Sequence, residues 1–117
     1  MKESILKTKS YDFALRILKL HRFLVRENKE YILSKQILRS GTSVGANIEE
    51  ANQAQSKADF IHKLSIALKE ASETNYWLRL LRDGEILEPK LAESILHDCE
   101  EIQRMLTASI KTSKGSR

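Results

Sequence analysis

The sequence predicts an all-α protein that folds as an antiparallel up-down-up-down four-helix bundle. Apolar residues recur every three or four positions through four long segments, which is the period of an amphipathic helix. Short polar breaks separate these segments, so consecutive helices should run antiparallel. One proline and four glycines among 117 residues leave few places where a helix must stop. We therefore expect a single domain over residues 1–117, with frayed tails at 1–9 and 112–117.

The first helix is predicted to begin after Ser10, a residue type favoured at the N-cap, and to end near Glu27. A polar break without periodicity follows at residues 27–30. The core-facing stripe of this helix consists of Phe13, Ile17, Leu20 and Leu24.

Positive charge is concentrated in the first third of the chain, where residues 1–40 carry ten Lys and Arg against four Asp and Glu. Four of these cations lie within an arc of roughly 120° on the far side of the first helix from its apolar stripe. They are Arg16, Lys19, Arg22 and Arg26. A localised positive surface favours a polyanionic partner, so these four residues are the predicted nucleic-acid-binding site. The alternative is that they form a solvated surface and bind nothing.

Two apolar residues, Leu15 and Phe23, lie among these cations and hint at a partner surface. Because Phe23 is the only aromatic residue close to the charges, the sequence favours contact with the backbone of duplex or structured RNA over stacking on single strands.

The second helix is predicted over about Tyr31 to Gln53. It contains Gly41 and Gly45, each of which costs roughly 1 kcal/mol relative to alanine inside a helix. A helix that accepts two glycines usually gains the close approach of another backbone. A polar stripe runs along the same helix through Arg39, Ser43, Asn47 and Glu50.

The third helix is predicted from Ser56, with Asp59 completing a capping box, to about Arg82. Besides its core face it carries a second stripe that includes Glu70, Glu73 and Trp77, which predicts burial on both sides. Arg39 could meet either of these carboxylates. The whole polar set would then fix helix register or a subunit interface, or form a polar site in a ring.

The third turn is predicted at residues 83–85, with Gly84 in the left-handed conformation after the helix. Pro89 suits the first turn of the fourth helix. The predicted core stripe of that helix is Leu91, Ile95, Cys99 or Ile102, Leu106 and Ile110.

The sequence carries no clear motif of an enzymatic site, and no catalytic residue, cofactor or metal is predicted. His21, His62 and His97 lie on three different helices, and the paired Glu-x-x-His motifs of di-iron bundles are absent. Arg16 and His21 superficially match the Arg-x(4–6)-His signature of HEPN-type ribonucleases, a spacing that is common by chance. The single cysteine and the lack of a long apolar run indicate a cytoplasmic protein.

Two segments, Gln36 to Ala51 and Phe60 to Leu78, resemble the four-helix-bundle proteins encoded in intervening sequences of bacterial 23S ribosomal RNA genes. One departure is Ala51, where many members have glycine. The matching positions are Gln36, Arg39, Ser43, Val44, Asn47, Ile48 and Glu50, followed by Phe60, Leu64, Ala67 and Glu73.

The resemblance implies a four-helix bundle that assembles into a ring-shaped homopentamer. It also implies a relationship to the accessory protein of diversity-generating retroelements, a basic pentamer that binds nucleic acid and a reverse transcriptase. The leading hypothesis is thus a non-enzymatic homo-oligomer that binds nucleic acid. The alternatives are a protein-binding scaffold that uses the second face of the third helix and, less favoured, a ribonuclease.

Overall fold

The computed structural model describes residues 2–115, with side chains from residue 5 onward, and contains four long helices in that range. They are α1 (Lys2–Glu27), α2 (Leu33–Ala51), α3 (Lys57–Asp83) and α4 (Pro89–Gly115). The links cover residues 28–32, 52–56 and 84–88, so neighbouring helices are antiparallel, as predicted. The bundle measures 50 × 20 × 20 Å. Of the four helix pairs in contact, packing is most extensive between α2 and α3 and least extensive between α1 and α4.

The core lies along the bundle axis and is almost entirely aliphatic. The predicted stripe of α1 is confirmed, since Phe13, Ile17, Leu20 and Leu24 are all buried. On α4 the stripe begins at Ala92, which is buried, whereas Leu91 is exposed, contrary to the prediction. None of the helices in residues 2–115 combines the length and apolarity needed to cross a bilayer.

The start of α1 differs from the prediction, because Ser10 lies inside the helix and is not its N-cap. Its Oγ donates a hydrogen bond to the carbonyl of Lys7 at 3.0 Å, and the residue is buried. Helical structure continues back to Lys2, and Leu6 belongs to the core. Residues 2–9, predicted as a frayed tail, are therefore helical. At the other end α4 reaches Gly115, and the rest of the predicted tail lies outside the described residues.

The ends of α3 test two capping predictions with opposite outcomes. The N-cap is confirmed, since the Ser56 side chain accepts a hydrogen bond from the Asp59 N–H at 3.0 Å. At the C-terminus Gly84 has a φ of −81°, and it is Glu85 that takes the left-handed conformation at 61°. Glu85 N–H bonds the carbonyl of Arg82, and the next N–H bonds that of Leu81, the two bonds of a Schellman motif. The prediction for Gly84 was wrong by one residue.

The start of α2 is stabilised by a carboxylate that precedes it. Glu30 accepts hydrogen bonds from the N–H groups of Ile32, Leu33 and Ser34 at 3.2, 3.0 and 2.7 Å. These N–H groups have no intrahelical partner, and a negative charge there also suits the helix dipole. The helix consequently begins two residues later than the predicted Tyr31.

The two glycines of α2 allow α1 to approach closely, as predicted. A Cβ atom at Gly41 would lie 2.8 Å from Cγ1 of Ile17, and one at Gly45 would lie 3.3 Å from the carbonyl oxygen of Ser10. Ile17 is fully buried and has no room to move. The separation of α1 and α2 is thus set by the absence of side chains at these positions.

Gly41→Ala should therefore destabilise the protein although alanine is the better helix former. Overpacking costs about 1–3 kcal/mol, and helix propensity returns about 1 kcal/mol, so we expect a net loss of up to about 2 kcal/mol in urea unfolding. The loss should be smaller in an Ile17→Ala background, which supplies space for the new methyl group. Equal losses in both backgrounds would show that the Ile17 contact is not the cause.

Candidate nucleic-acid interface

Helix α1 turns one face to the core and the opposite face to solvent. Lys19, Arg22 and Arg26 are exposed on that outer face, and we call these three residues the basic face. None of them has a hydrogen bond or ion pair with another of the described residues. The sequence contains no Asp or Glu between Asp12 and Glu27, and Glu27 is not three or four residues from any of these cations, the spacing that places side chains side by side on a helix. The basic face is therefore un-neutralised positive charge.

Arg16, the fourth predicted phosphate ligand, is placed differently. Its guanidinium donates to Asp98 Oδ2 at 2.7 Å and to the hydroxyl of Ser94 at 2.7 Å, both on α4. A second pair, Lys9 with Glu101 at 3.3 Å, bridges the same two helices. Arg16 thus connects α1 to α4 across the least extensively packed seam of the bundle and is not part of the basic face.

The apolar residues predicted among the cations are exposed as well. Leu15 and Phe23 each retain 43% of their accessible surface. Tyr11, two turns before Lys19 on the same outer face, retains 61%. The outer face of α1 therefore combines cations with accessible apolar side chains, two of them aromatic.

The predicted meeting of Arg39 with the carboxylates of α3 is confirmed. Arg39 donates one hydrogen bond to Glu70 at 3.2 Å and another, a short one, to Glu73. The indole N–H of Trp77 also donates to Glu73, at 3.1 Å. We call these four residues the polar cluster. Its single cation is paired with two carboxylates, and the Arg39 side chain remains 51% exposed, so within one protomer the cluster lies at the surface rather than between buried faces.

The remaining residues of the predicted polar stripe have local roles. Ser43 and Asn47 donate to carbonyls one turn earlier in α2, at 2.7 and 2.9 Å. Glu50 pairs with Lys63 of α3 at 2.7 Å. With the two ion pairs of Arg39, this gives three ion pairs between α2 and α3 among the described residues. A buried hydrogen bond of 2.8 Å from Thr74 to Ser40 lies between the two helices.

The residues of the ribonuclease hypothesis do not converge. Arg16 points to α4, whereas Nδ1 of His21 lies 3.1 Å from the carbonyl of Ser34 in α2. Cys99 is fully buried, and its thiol donates to the carbonyl of Ala71 at 3.3 Å. Burial raises the pKa of that thiol to about 12, so it is not a nucleophile at neutral pH. Within residues 2–115, no group of three or more His, Cys, Asp and Glu residues is arranged to hold a metal ion.

Sequence reasoning placed Trp77 on the second face of α3 but missed the exposed apolar residues beside it. Tyr76 packs edge-on against Trp77 with ring centroids 5.2 Å apart, and Arg79 lies over the Tyr76 ring. Leu80, one turn further along α3, is 39% exposed. We call Tyr76, Trp77 and Leu80 the aromatic patch. The signal was available, since Tyr76 and Leu80 are four residues apart and both lie outside the core stripe.

Removing Arg39 tests how much the polar cluster stabilises the protein. The hydrogen bond from Arg39 lowers the pKa of Glu73 below its ordinary value of 4.5, and the bond from Trp77 adds to this effect. The resulting stabilisation is present above pH 4.5 and is lost as the pH falls through the lowered value. Arg39→Ala should thus reduce the free energy of unfolding by about 0.5–1 kcal/mol at pH 7, and this loss should shrink progressively as the pH is lowered below 4.5.

Lys35→Ala is the matched control, because Lys35 is an exposed cation one turn earlier in α2 without an ion pair among the described residues. Urea unfolding of both variants across this pH range gives the comparison. A loss that is independent of pH, or equal in the control, would contradict a role for the Arg39–Glu73 pair.

Comparison with known proteins gives a consistent assignment. Residues 2–108 match the 23S rRNA-intervening sequence protein family. The fold is similar to a crystal structure from Bacteroides thetaiotaomicron VPI-5482, described as a protein of unknown function from the S23 ribosomal protein family. That chain is 58% identical, with a TM-score of 0.93 over 95% of this chain and 99% of the other. No curated protein matches. The chain belongs to the 23S rRNA-intervening sequence protein family.

Proposed function

We propose that this protein is a non-enzymatic homo-oligomer that binds nucleic acid through the phosphates of its ligand. The observation that carries the proposal is the un-neutralised charge of Lys19, Arg22 and Arg26 on the exposed side of α1. Elsewhere on the surface the cations of the polar cluster and of the α1–α4 seam have carboxylate partners. A polyanion binds most favourably to cations that lack such partners, because it has no intramolecular ion pair to displace.

Phosphate binding of this kind does not depend on base sequence and is sensitive to salt. Each phosphate neutralised by a cation releases counterions, which lowers affinity as the salt concentration rises. Three cations on one protomer give weak binding. Repeating the basic face around a ring would multiply these contacts into higher avidity without any new interaction.

Charge reversal of the basic face is the direct test. The triple variant Lys19→Glu, Arg22→Glu, Arg26→Glu should weaken binding of a labelled mixed-sequence RNA by about tenfold or more at low salt. Its log–log salt dependence should be shallower by about 1 for each phosphate that the variant no longer neutralises. Fluorescence anisotropy between about 50 and about 200 mM salt measures both quantities.

The charge-matched control reverses three exposed cations of α4. These are Lys90, Arg104 and Lys111. Wild-type affinity in the control together with weaker binding by the α1 variant supports the proposal. Equal losses of affinity in the two variants would show that only net charge matters, and a flat salt dependence in the wild-type protein would exclude phosphate binding.

We propose a homopentamer as the assembly, which rests on family membership and on the aromatic patch. An accessible tryptophan–tyrosine pair beside an aliphatic residue has the composition of an interface centre. Light scattering should give a mass five times the 13.4 kDa of one chain. Leu80→Glu should lower that mass while the helical circular dichroism signal is kept. A wild-type mass of one chain would refute the assembly.

The aromatic patch also supports the alternative of a protein-binding scaffold. In that case α3 recruits a different protein and the basic face has no ligand. Affinity capture that returns a protein partner, lost on Leu80→Glu, and no nucleic acid would favour the scaffold. The ribonuclease alternative requires RNA cleavage that disappears in His21→Ala, and the separation of Arg16 from His21 argues against it.

A further inference from the structure

Phe23 lies among the cations of the basic face. Lys19 is four residues before it and Arg26 three residues after it, spacings that place side chains side by side on a helix. Arg22 precedes it directly. The phenyl ring is 43% exposed, and no ring or cation contact to it occurs among the described residues. An apolar ring is therefore accessible with positive charge on both sides along the helix axis.

Tyr11 extends this surface toward the N-terminus of α1. It is 61% exposed and lies twelve residues before Phe23, about 18 Å along the helix axis. Leu15 lies between them and is also exposed. The outer face of α1 thus offers two aromatic rings with three cations clustered around one of them.

Such a surface fits single-stranded nucleic acid better than a duplex. In a duplex the faces of the bases are stacked on each other, so a protein ring finds only phosphates and groove edges. In a single strand the base faces are available, and base–aromatic stacking with cations along the backbone is the usual mode of sequence-tolerant binding. The sequence alone favoured duplex contact, because it did not show that Tyr11 and Phe23 are both exposed on the outer face of α1.

We propose that the outer face of α1 binds single-stranded nucleic acid, with one base stacked on Phe23 and another on Tyr11, and with the flanking phosphates on the basic face. This inference rests on the proposed nucleic-acid-binding function and specifies its ligand. The rings supply the preference for single strands, and Lys19, Arg22 and Arg26 supply the salt-dependent part of the affinity.

Phe23→Leu tests the inference, because leucine keeps an apolar side chain but removes the aromatic face. Its affinity for a labelled single-stranded RNA should fall by about five- to 150-fold, the range expected for one base–aromatic stack. Affinity for the duplex form of the same RNA should stay within about twofold. The salt dependence should be unchanged, since the phosphate contacts remain. Phe23→Trp should bind single strands at least as well as the wild-type protein.

Tyr76→Leu is the matched control, because Tyr76 is 48% exposed on α3, outside the basic face. It should bind single strands like the wild type. Circular dichroism and light scattering on every variant establish that fold and mass are kept.

The outcomes separate this inference from the proposed function. Wild-type single-strand affinity in Phe23→Leu, an equal loss of affinity for both RNA forms, or tighter wild-type binding of the duplex would overturn the inference. A changed mass in Phe23→Leu would instead assign the ring to a subunit contact and would overturn it too. The proposed function is instead lost if wild-type protein binds neither RNA form, if its binding does not depend on salt, or if charge reversal of the basic face weakens binding no more than reversal of the three α4 cations.

Discussion

The close contact between α1 and α2 sets the geometry on which the rest of the structure depends. With no side chain at Gly41, Ile17 packs directly onto the backbone of α2 and is fully buried. This contact fixes the rotation of α1 about its own axis. At 100° per residue, Lys19 and Arg26 lie about 200° and 180° around the helix from Ile17. Burial of Ile17 therefore places Lys19 and Arg26 on the exposed side. The orientation of the basic face is thus a direct consequence of a packing contact in the core.

The polar cluster and the basic face differ in whether their cations are free to bind a ligand. In the polar cluster, Arg39 is matched by Glu70 and Glu73, and Glu73 also accepts the indole N–H of Trp77. A ligand that competed for Arg39 would have to break these bonds. The basic face carries no comparable intramolecular partner within the described residues. The polar cluster holds one cation and two carboxylates, whereas the basic face holds three cations and no carboxylate.

The periodicity of the sequence was enough to predict the four helices, their antiparallel order and most of the core. Prediction from periodicity failed where a contact with another helix determines the local structure. Ser10 has the chemistry of an N-cap, but it lies against Gly45 and bonds a carbonyl of its own helix, so the helix continues through it. Arg16 lies at the edge of the charged arc, and only the position of Asp98 on another helix determines where its side chain goes. Neither neighbour can be identified from local sequence. Likewise, Glu85 rather than Gly84 takes the left-handed conformation, because the helix continues one residue further than the turn residues suggest.

The buried thiol of Cys99 makes the protein unusually convenient for site-specific labelling. It is the only cysteine in the chain, it has no accessible surface, and its raised pKa leaves almost no thiolate at neutral pH. A maleimide dye or spin label should therefore not react with Cys99 in the native protein. It should react with a cysteine introduced at an exposed position. Distances between probes on any two helices can then be measured in solution without first removing the natural residue.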